Sequence, residues 1–344
     1  MIERPASRSA GAWRKFGYAV AFSAGFLTIG WSIYWYVAHR LALGELEAAL
    51  SREAGFGRTW SCGAMTSGGY PFSVEIDCDR FSVAARSHDR SIAAQARRAV
   101  VRAPLYMPKR VYIEVHSPAE VSIDDARVDL EWRSLQVSAR GLPGRWDRLS
   151  VSGADGSIRL NGTAMTTRIA ALQSNLRRPA NASDGVLNYE ISVAGIQSAI
   201  IDALLGGGEP ALVASVGSIT QFDRALSSAP GDRLDQWRSA GGRLTVSQFS
   251  LQKGRFGLQA DGGVGLDQTR RLDGRLELRA QNAADVIAGL GRQSGPFGFP
   301  LVNLLLGVFL TDRETGETRL PVSFENGRVG IGPMKNLVTL PPLY

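Results

Sequence analysis

The first pattern along the chain is an unbroken apolar one: Phe16 to Val37 contains no charged side chain. At about 1.5 Å per residue this run extends about 33 Å as a helix, enough to cross a hydrocarbon core of roughly 30 Å. From Leu41 to Ala54 apolar residues recur at helical spacing and Gly55 supplies a stop, which predicts a membrane-proximal helix and linker over 39–57. Beyond it the period drops to two. Phe72, Val74, Ile76 and Cys78 alternate with Ser73, Glu75 and Asp77, and Val111, Ile113 and Val115 alternate with Tyr112, Glu114 and His116. The same alternation recurs at 128–133 with Leu135 and Val137, at Leu149/Val151, Ile158/Leu160, Leu187/Tyr189/Ile191/Val193 and Leu244/Val246. Strict alternation predicts antiparallel strands with one apolar and one polar face.

Glycine, asparagine and aspartate punctuate these strands. Gly153-Ala154-Asp155-Gly156, Asn161-Gly162, Asp184-Gly185 and Asn326-Gly327 carry tight-turn chemistry, because glycine and asparagine tolerate positive φ. Short helices are expected over Gln197–Leu205, Gly231–Arg238 and Ala283–Leu290, the last capped by Asn282. The apolar stretch Phe299–Leu310, interrupted by Pro300 and Asn303, is too short for a second span and suits a buried or interfacial helix. Its Phe299, Leu301, Leu304, Leu305 and Phe309 are candidate lipid or partner contacts. The expected fold is mainly β (α+β): an N-terminal transmembrane helix, then an extended, curled antiparallel sheet of many hairpins with a few short helices. The expected division is a cytoplasmic tail at 1–15, the transmembrane helix at 16–38, the proximal helix and linker, and a β-rich domain at 58–344 with candidate halves 58–220 and 240–344.

Charge sets the expected orientation. Arg4, Arg8, Arg14 and Lys15 precede the apolar run against one acid, Glu3, whereas Glu45 and Glu47 follow it closely. The positive-inside bias places the N-terminus in the cytoplasm and the bulk of the chain across the membrane. Trp13 and Phe16 mark the inner end, and Trp31, Trp35 and Tyr36 the outer end, where amphipathic rings prefer the headgroup layer. A cleaved signal peptide would have an apolar region of only about 7–15 residues ending in small side chains. Tyr36-Val37-Ala38 sets a bulky ring there, so an uncleaved anchor is expected.

The two cysteines, Cys62 and Cys78, flank Gly68-Gly69-Tyr70-Pro71, which suggests a turn with both thiols near its open end. In an oxidising periplasm they form one disulfide, worth on the order of 3 kcal/mol in the chain-entropy model. Free thiols are the alternative; a metal site lacks histidines nearby. With 44% hydrophobic and 21% charged residues and a net charge of +7, the chain has enough material for a large core. The positives are scattered and four lie in the N-terminal tail, so a nucleic-acid partner has neither motif nor compartment behind it.

The most regular stretch runs from Ala240-Gly241-Gly242-Arg243 through Gly262-Gly263-Val264-Gly265 to Leu272-Asp273-Gly274-Arg275-Leu276. It reads as strands of five to seven residues joined by glycine- or aspartate-marked turns. This glycine-paced meander resembles the C-terminal part of AsmA-like envelope proteins. The chain as a whole resembles a group of single-pass envelope proteins of alphaproteobacteria, the domain of unknown function 2125. The matching positions are the anchor, Trp60-Ser61-Cys62-Gly63, Gly69-Tyr70-Pro71-Phe72 with Cys78, the Gly241-Gly242 meander, and the closing Gly332-Pro333 and Leu340-Pro341-Pro342-Leu343. The resemblance implies a bacterial inner-membrane protein that binds or helps move membrane lipid, although the chain is short for a full crossing of the periplasm.

Some 15 strands side by side would extend roughly 70 Å. Curled lengthwise, the apolar face becomes either a trough for acyl chains or a closed core; in the second case the protein is a scaffold docking another envelope protein. No enzyme is expected. His39, His88 and His116 are far apart, Gly263-Val264-Gly265 lies within a strand pattern, and Asp124-Asp125 suits a turn. The chain carries no G-x-S-x-G, P-loop or H-E-x-x-H motif, so no catalytic, cofactor-binding or metal residue is assigned.

Overall fold

The computed structural model describes residues 10–55, 57–87, 90–142, 144–160, 166–180, 185–226, 232–282 and 317–343. The expected helix at 283–290 and the segment bearing Phe299, Leu301, Leu304, Leu305 and Phe309 lie outside the described residues.

The apolar run and the amphipathic stretch after it form a single helix, α1, from Ala10 to Gly55. Nothing in Ala38-His39-Arg40-Leu41 breaks a helix, so hydrogen bonding continues through the change in polarity. In its outer half the more sheltered positions are Trp35, Ala38, His39, Ala42, Leu43, Leu46, Ala49, Leu50 and Glu53, a stripe at helical spacing that faces the sheet.

All the strands belong to one antiparallel sheet. Along one edge, β1 (Arg58–Ser61) and β2 (Ala64–Gly68) pair in succession with β3 (Ser73–Ser87). The sheet then passes through β4 (Arg90–Pro104) to β5 (Arg110–Ile123). The next position is shared by β6 (Ala126–Glu131) and β7 (Ser134–Arg140), both paired to β5 and to β8 (Arg148–Leu160). From there the chain meanders through β9 (Thr166–Arg177), β10 (Leu187–Ile196), β11 (Ala211–Ile219), β12 (Arg243–Lys253), β13 (Phe256–Leu266), β14 (Leu272–Gln281), β15 (Glu317–Glu325), β16 (Arg328–Ile331) and β17 (Met334–Thr339). From β8 onward each strand pairs with its sequence neighbour. β11 and β12, on either side of residue 230, pair directly, so the sheet is continuous across the interval between the candidate halves.

Among the described residues three short helices sit in the connections: α2 (Ala199–Leu205), α3 (Phe222–Leu226) and α4 (Arg233–Ser239). The first and last match expected helices; α3 was not signalled by periodicity, being five residues long. Gly206, at φ 92°, terminates α2. Asn326-Gly327 turns the β15–β16 hairpin with φ of 52° and 73°, the tight turn its residues predict.

Two expectations need correction. Gly153–Gly156 is not a turn but the middle of the 13-residue β8. Asp155 adopts φ 49°, and the ladder steps past Asp155 and Ala170 from Ala154↔Ala171 to Gly156↔Ile169 with its register kept. The strands of the 240–281 meander are also longer than five to seven residues, at 11, 11 and 10, because their internal glycines lie in the ladder rather than at its ends.

The interruption at Asp155 has counterparts in neighbouring strands. Arg80 (φ 49°) and Arg97 are both skipped between Asp79↔Arg98 and Phe81↔Ala96, and Ser117-Pro118 breaks register on β5. The one extra residue on β5 is a bulge that sharpens the local twist, and with the interruptions beside it marks a crease across these strands. The overall curl shows in one electrostatic contact. Arg233 in α4 interacts with Arg58 and Glu53 near β1, and its guanidinium is pushed below its ordinary pKa by burial first and Arg58 second. Eight or nine strand positions of about 4.8 Å would separate these groups by roughly 40 Å in a flat sheet.

Candidate functional site

Directly opposed residues in an antiparallel ladder share a face, so the registers trace the two surfaces of the sheet. One row starts at Ile76 and passes through Val101, Ile113, Val137, Val151 and Ser174 to Ile191. A parallel row runs from Leu172 through Val193, Val213, Leu251 and Leu258 to Ala280. A third carries Leu276, Val322 and Ile331 to Met334. Aliphatic side chains therefore cover one face from β3 to β17. The opposite face carries Glu75 and Asp77, Arg98 and Arg102, Gln136, Ser152, Gln173, Glu190, Gln252, Gln259, Arg279 and Arg319.

Cross-strand ion pairs hold the polar face outward. Arg98 Nε donates to Asp77 at 2.8 Å, Arg102 pairs with Glu75 at 3.0 Å, Arg127 with Glu120 at 2.8 Å and Arg279 with Asp261 at 3.2 Å. Arg98, by direct hydrogen bonding, pulls the Asp77 carboxyl below its ordinary range; its charge and that of His116 add to the effect. A one-residue slip would bury these pairs and expose the aliphatic row, so they and the apolar row specify the same register.

The apolar face is sheltered but not sealed. Val74, Ile76, Cys78, Leu187, Tyr189, Ala260, Leu320 and Val322 are buried, whereas Val137, Val151, Leu176, Val213, Leu251, Leu258 and Leu278 each retain part of their surface. A second sheet packed about 10 Å away would bury these central positions fully. What the face offers is a largely aliphatic surface with no charged side chain in these rows.

Other features are structural. The disulfide joins Cys62 to Cys78 with Cα atoms 5.4 Å apart, and Cys78 is buried on the apolar face opposite Ala99. Lys253 is 4% exposed; its Nζ donates to Asp202 and to the Glu209 carbonyl, each at 2.6 Å, fastening α2 to the sheet. Arg178 stacks over Trp146 at 3.8 Å and pairs with Asp223 at 2.7 Å, tying α3 to the strand ends. A notch of about 490 Å³ at the crease is lined by Arg80, Phe81, Arg97, Glu120, Glu131 and Arg159. Among the described residues no three His, Cys, Asp or Glu side chains are grouped to hold a metal ion.

The aromatic residues expected at the outer membrane boundary do more than flank it. Trp31 Nε1 donates to the Pro71 carbonyl at 2.8 Å and Trp35 Nε1 to the Ser73 carbonyl at 2.7 Å. The Tyr34 hydroxyl reaches the Leu105 carbonyl at 3.5 Å, and the Ser32 and Tyr70 hydroxyls lie 2.9 Å apart. Trp35 meets Tyr70 edge-on at 5.5 Å and stacks on His39 at 4.8 Å. Tyr36 points elsewhere and accepts a hydrogen bond from Arg40 at 3.2 Å, while Trp13 and Phe16 are exposed on the apolar half of α1. The i, i+4 spacing of Trp31, Trp35 and His39 was the available signal that these rings share one docking stripe.

The profile of a protein family described as uncharacterized protein conserved in bacteria (DUF2125) matches residues 35–341. No curated protein matches the chain.

Proposed function

The chain belongs to the DUF2125 family, and on that premise we propose that it is a non-enzymatic, inner-membrane-anchored lipid-binding protein of the AsmA-like type. Its N-terminus lies in the cytoplasm and its β domain in the periplasm, where the sheet takes up acyl chains and helps move lipid in the envelope. The anchor rests on α1, long and apolar enough to cross once, and the oxidising compartment on the Cys62–Cys78 disulfide. The observation that carries the lipid reading is the aliphatic face running from β3 to β17 with its central residues incompletely covered. Each methylene buried there contributes about 0.8 kcal/mol, so ten methylenes of one chain supply about 8 kcal/mol before ordering costs.

The test is extraction of the purified full chain with organic solvent, followed by mass spectrometry. Stoichiometric co-purifying phospholipid is expected. Its consistent absence, with a stoichiometric protein partner recovered by crosslinking, would favour a periplasmic scaffold instead.

A further inference from the structure

We propose that two hairpin tips of the sheet, residues 69–72 and 105–110, are inserted in the bilayer leaflet beside α1 and form a second, interfacial membrane contact. The proposal rests on the membrane-anchor reading above and adds a surface to it.

Depth is the first argument. Trp31 and Trp35 hold the Pro71 and Ser73 carbonyls, yet both lie within the apolar run that ends at Val37. Trp31 precedes Val37 by six residues, about 9 Å along the helix axis. The tip at 69–72 therefore sits level with the last turns of the membrane-spanning segment, not above them. Hydrogen bonding between Leu105 N and the Phe72 carbonyl at 3.0 Å brings the second tip alongside the first.

Surface chemistry is the second. Tyr70, Phe72 and Tyr106 are 53%, 66% and 68% exposed, an aromatic cluster at the depth where amphipathic rings settle. Lys109 and Arg110 follow on the same tip, both exposed, with long stems able to carry their charges up to lipid phosphates.

Backbone satisfaction is the third and most specific. A loop entering the acyl boundary cannot leave carbonyls facing hydrocarbon, since each unsatisfied group costs several kcal/mol. Pro71, Ser73 and Leu105 carbonyls are each met by a side chain of α1, and Ser73 N donates to the Gly69 carbonyl at 2.9 Å. Water would serve these groups in an aqueous loop; here the helix supplies the donors. The occupant these features fit is the anionic phospholipid leaflet itself.

The full chain, reconstituted in vesicles of phosphatidylethanolamine and phosphatidylglycerol, carries one fluorophore at a time through Phe22→Cys, Phe72→Cys, Tyr106→Cys or Lys335→Cys. The native cysteines stay unlabelled because they are disulfide-bonded. Labels at 22, 72 and 106 should lose fluorescence to brominated acyl chains and resist iodide, and the label at 335 should do the opposite. Iodide quenching at 72 and 106, with lipid quenching retained at 22, overturns this proposal alone. Loss of lipid quenching at 22 as well overturns the anchor reading with it. Tips shielded from both quenchers would mean a protein contact, which also overturns the proposal. Lys109→Glu/Arg110→Glu should reduce lipid quenching at 106; no change would refute the part assigned to the two cations.

Discussion

Replacing Trp35 by phenylalanine keeps an aromatic ring against Tyr70 and His39 but removes the indole donor 2.7 Å from the Ser73 carbonyl. Ser73 sits at the start of β3, where its carbonyl is turned to the helix. A sheltered acceptor left without its donor costs about 1–3 kcal/mol. That free energy acts locally, on the docking of the 69–73 and 105 segments to α1, and not on the sheet beyond. Local opening of this size speeds amide exchange about 5–150-fold where opening limits it. The amides to follow are Ser73 and Leu105, whose partners are the Gly69 and Phe72 carbonyls at 2.9 and 3.0 Å. Hydrogen exchange read by mass spectrometry on the full chain in lipid nanodiscs gives the measurement. Trp31→Phe should act in the same direction but less, since Trp31 is 39% exposed. Trp13→Phe, far from the sheet, should leave both amides unchanged. Unaltered exchange at Ser73 and Leu105 in Trp35→Phe would refute the helix–turn junction.

Other predictions concern the sheet and its edges. Reduction of Cys62–Cys78, or Cys62→Ala/Cys78→Ala, should lower stability by about 3 kcal/mol in denaturant melts, given a loop of sequence separation 16. Lys253→Met removes the charge paired with Asp202 and the donor to the Glu209 carbonyl; protease cleavage within 206–210 should accelerate, consistent with a loss of about 1–3 kcal/mol in α2 docking. Asp77 has its carboxyl lowered from 3.8 by Arg98, so its contribution to stability is fully present above pH 3.8 and disappears as pH falls through the lowered value. Asp77→Asn should flatten that part of the acid limb in urea melts collected from pH 5 to 2, and an unchanged limb would show the pair contributes nothing. Gly242→Ala would drive a methyl against the Trp237 indole, 2.3 Å from an ideal Cβ position, and should break its hydrogen bond to the Thr220 carbonyl, shifting the Trp237 fluorescence.

The alternation of Val74, Ile76 and Cys78 was legible in the chain because β3 is read two residues at a time and its charges pair on the other side. The Tyr70-Pro71 turn and the disulfide were legible for the same local reason: turn residues and thiols lie within one hairpin. The crease was not. Arg80, Arg97 and Asp155 are polar residues in otherwise ordinary strands, and an interrupted ladder becomes visible only when two strands are paired. Gly153–Gly156 has the composition of a turn, but Gly153, Ala154 and Gly156 pair with Leu172, Ala171 and Ile169 of β9 within the ladder. The aromatic girdle was read from composition as a membrane feature. Its second role, donating to Pro71, Ser73 and Leu105, depends on a tertiary contact some 40 to 70 residues away in sequence. Whether the apolar face was a trough or a core could not be read from periodicity, since both give the same alternation; in the structure Val151, Val213 and Leu251 keep part of their surface.

Site-specific photocrosslinking in the full chain tests the lipid-bearing face most directly. A photoreactive side chain is placed singly at Val151, Val213 or Leu251 on the apolar face, and at Ser152, Gln173 or Gln252 on the other. The account predicts phospholipid adducts, identified by mass spectrometry after irradiation of intact cells, at the first three positions and not at the second three. Lipid adducts absent from the apolar positions, or equal on both faces, would contradict it.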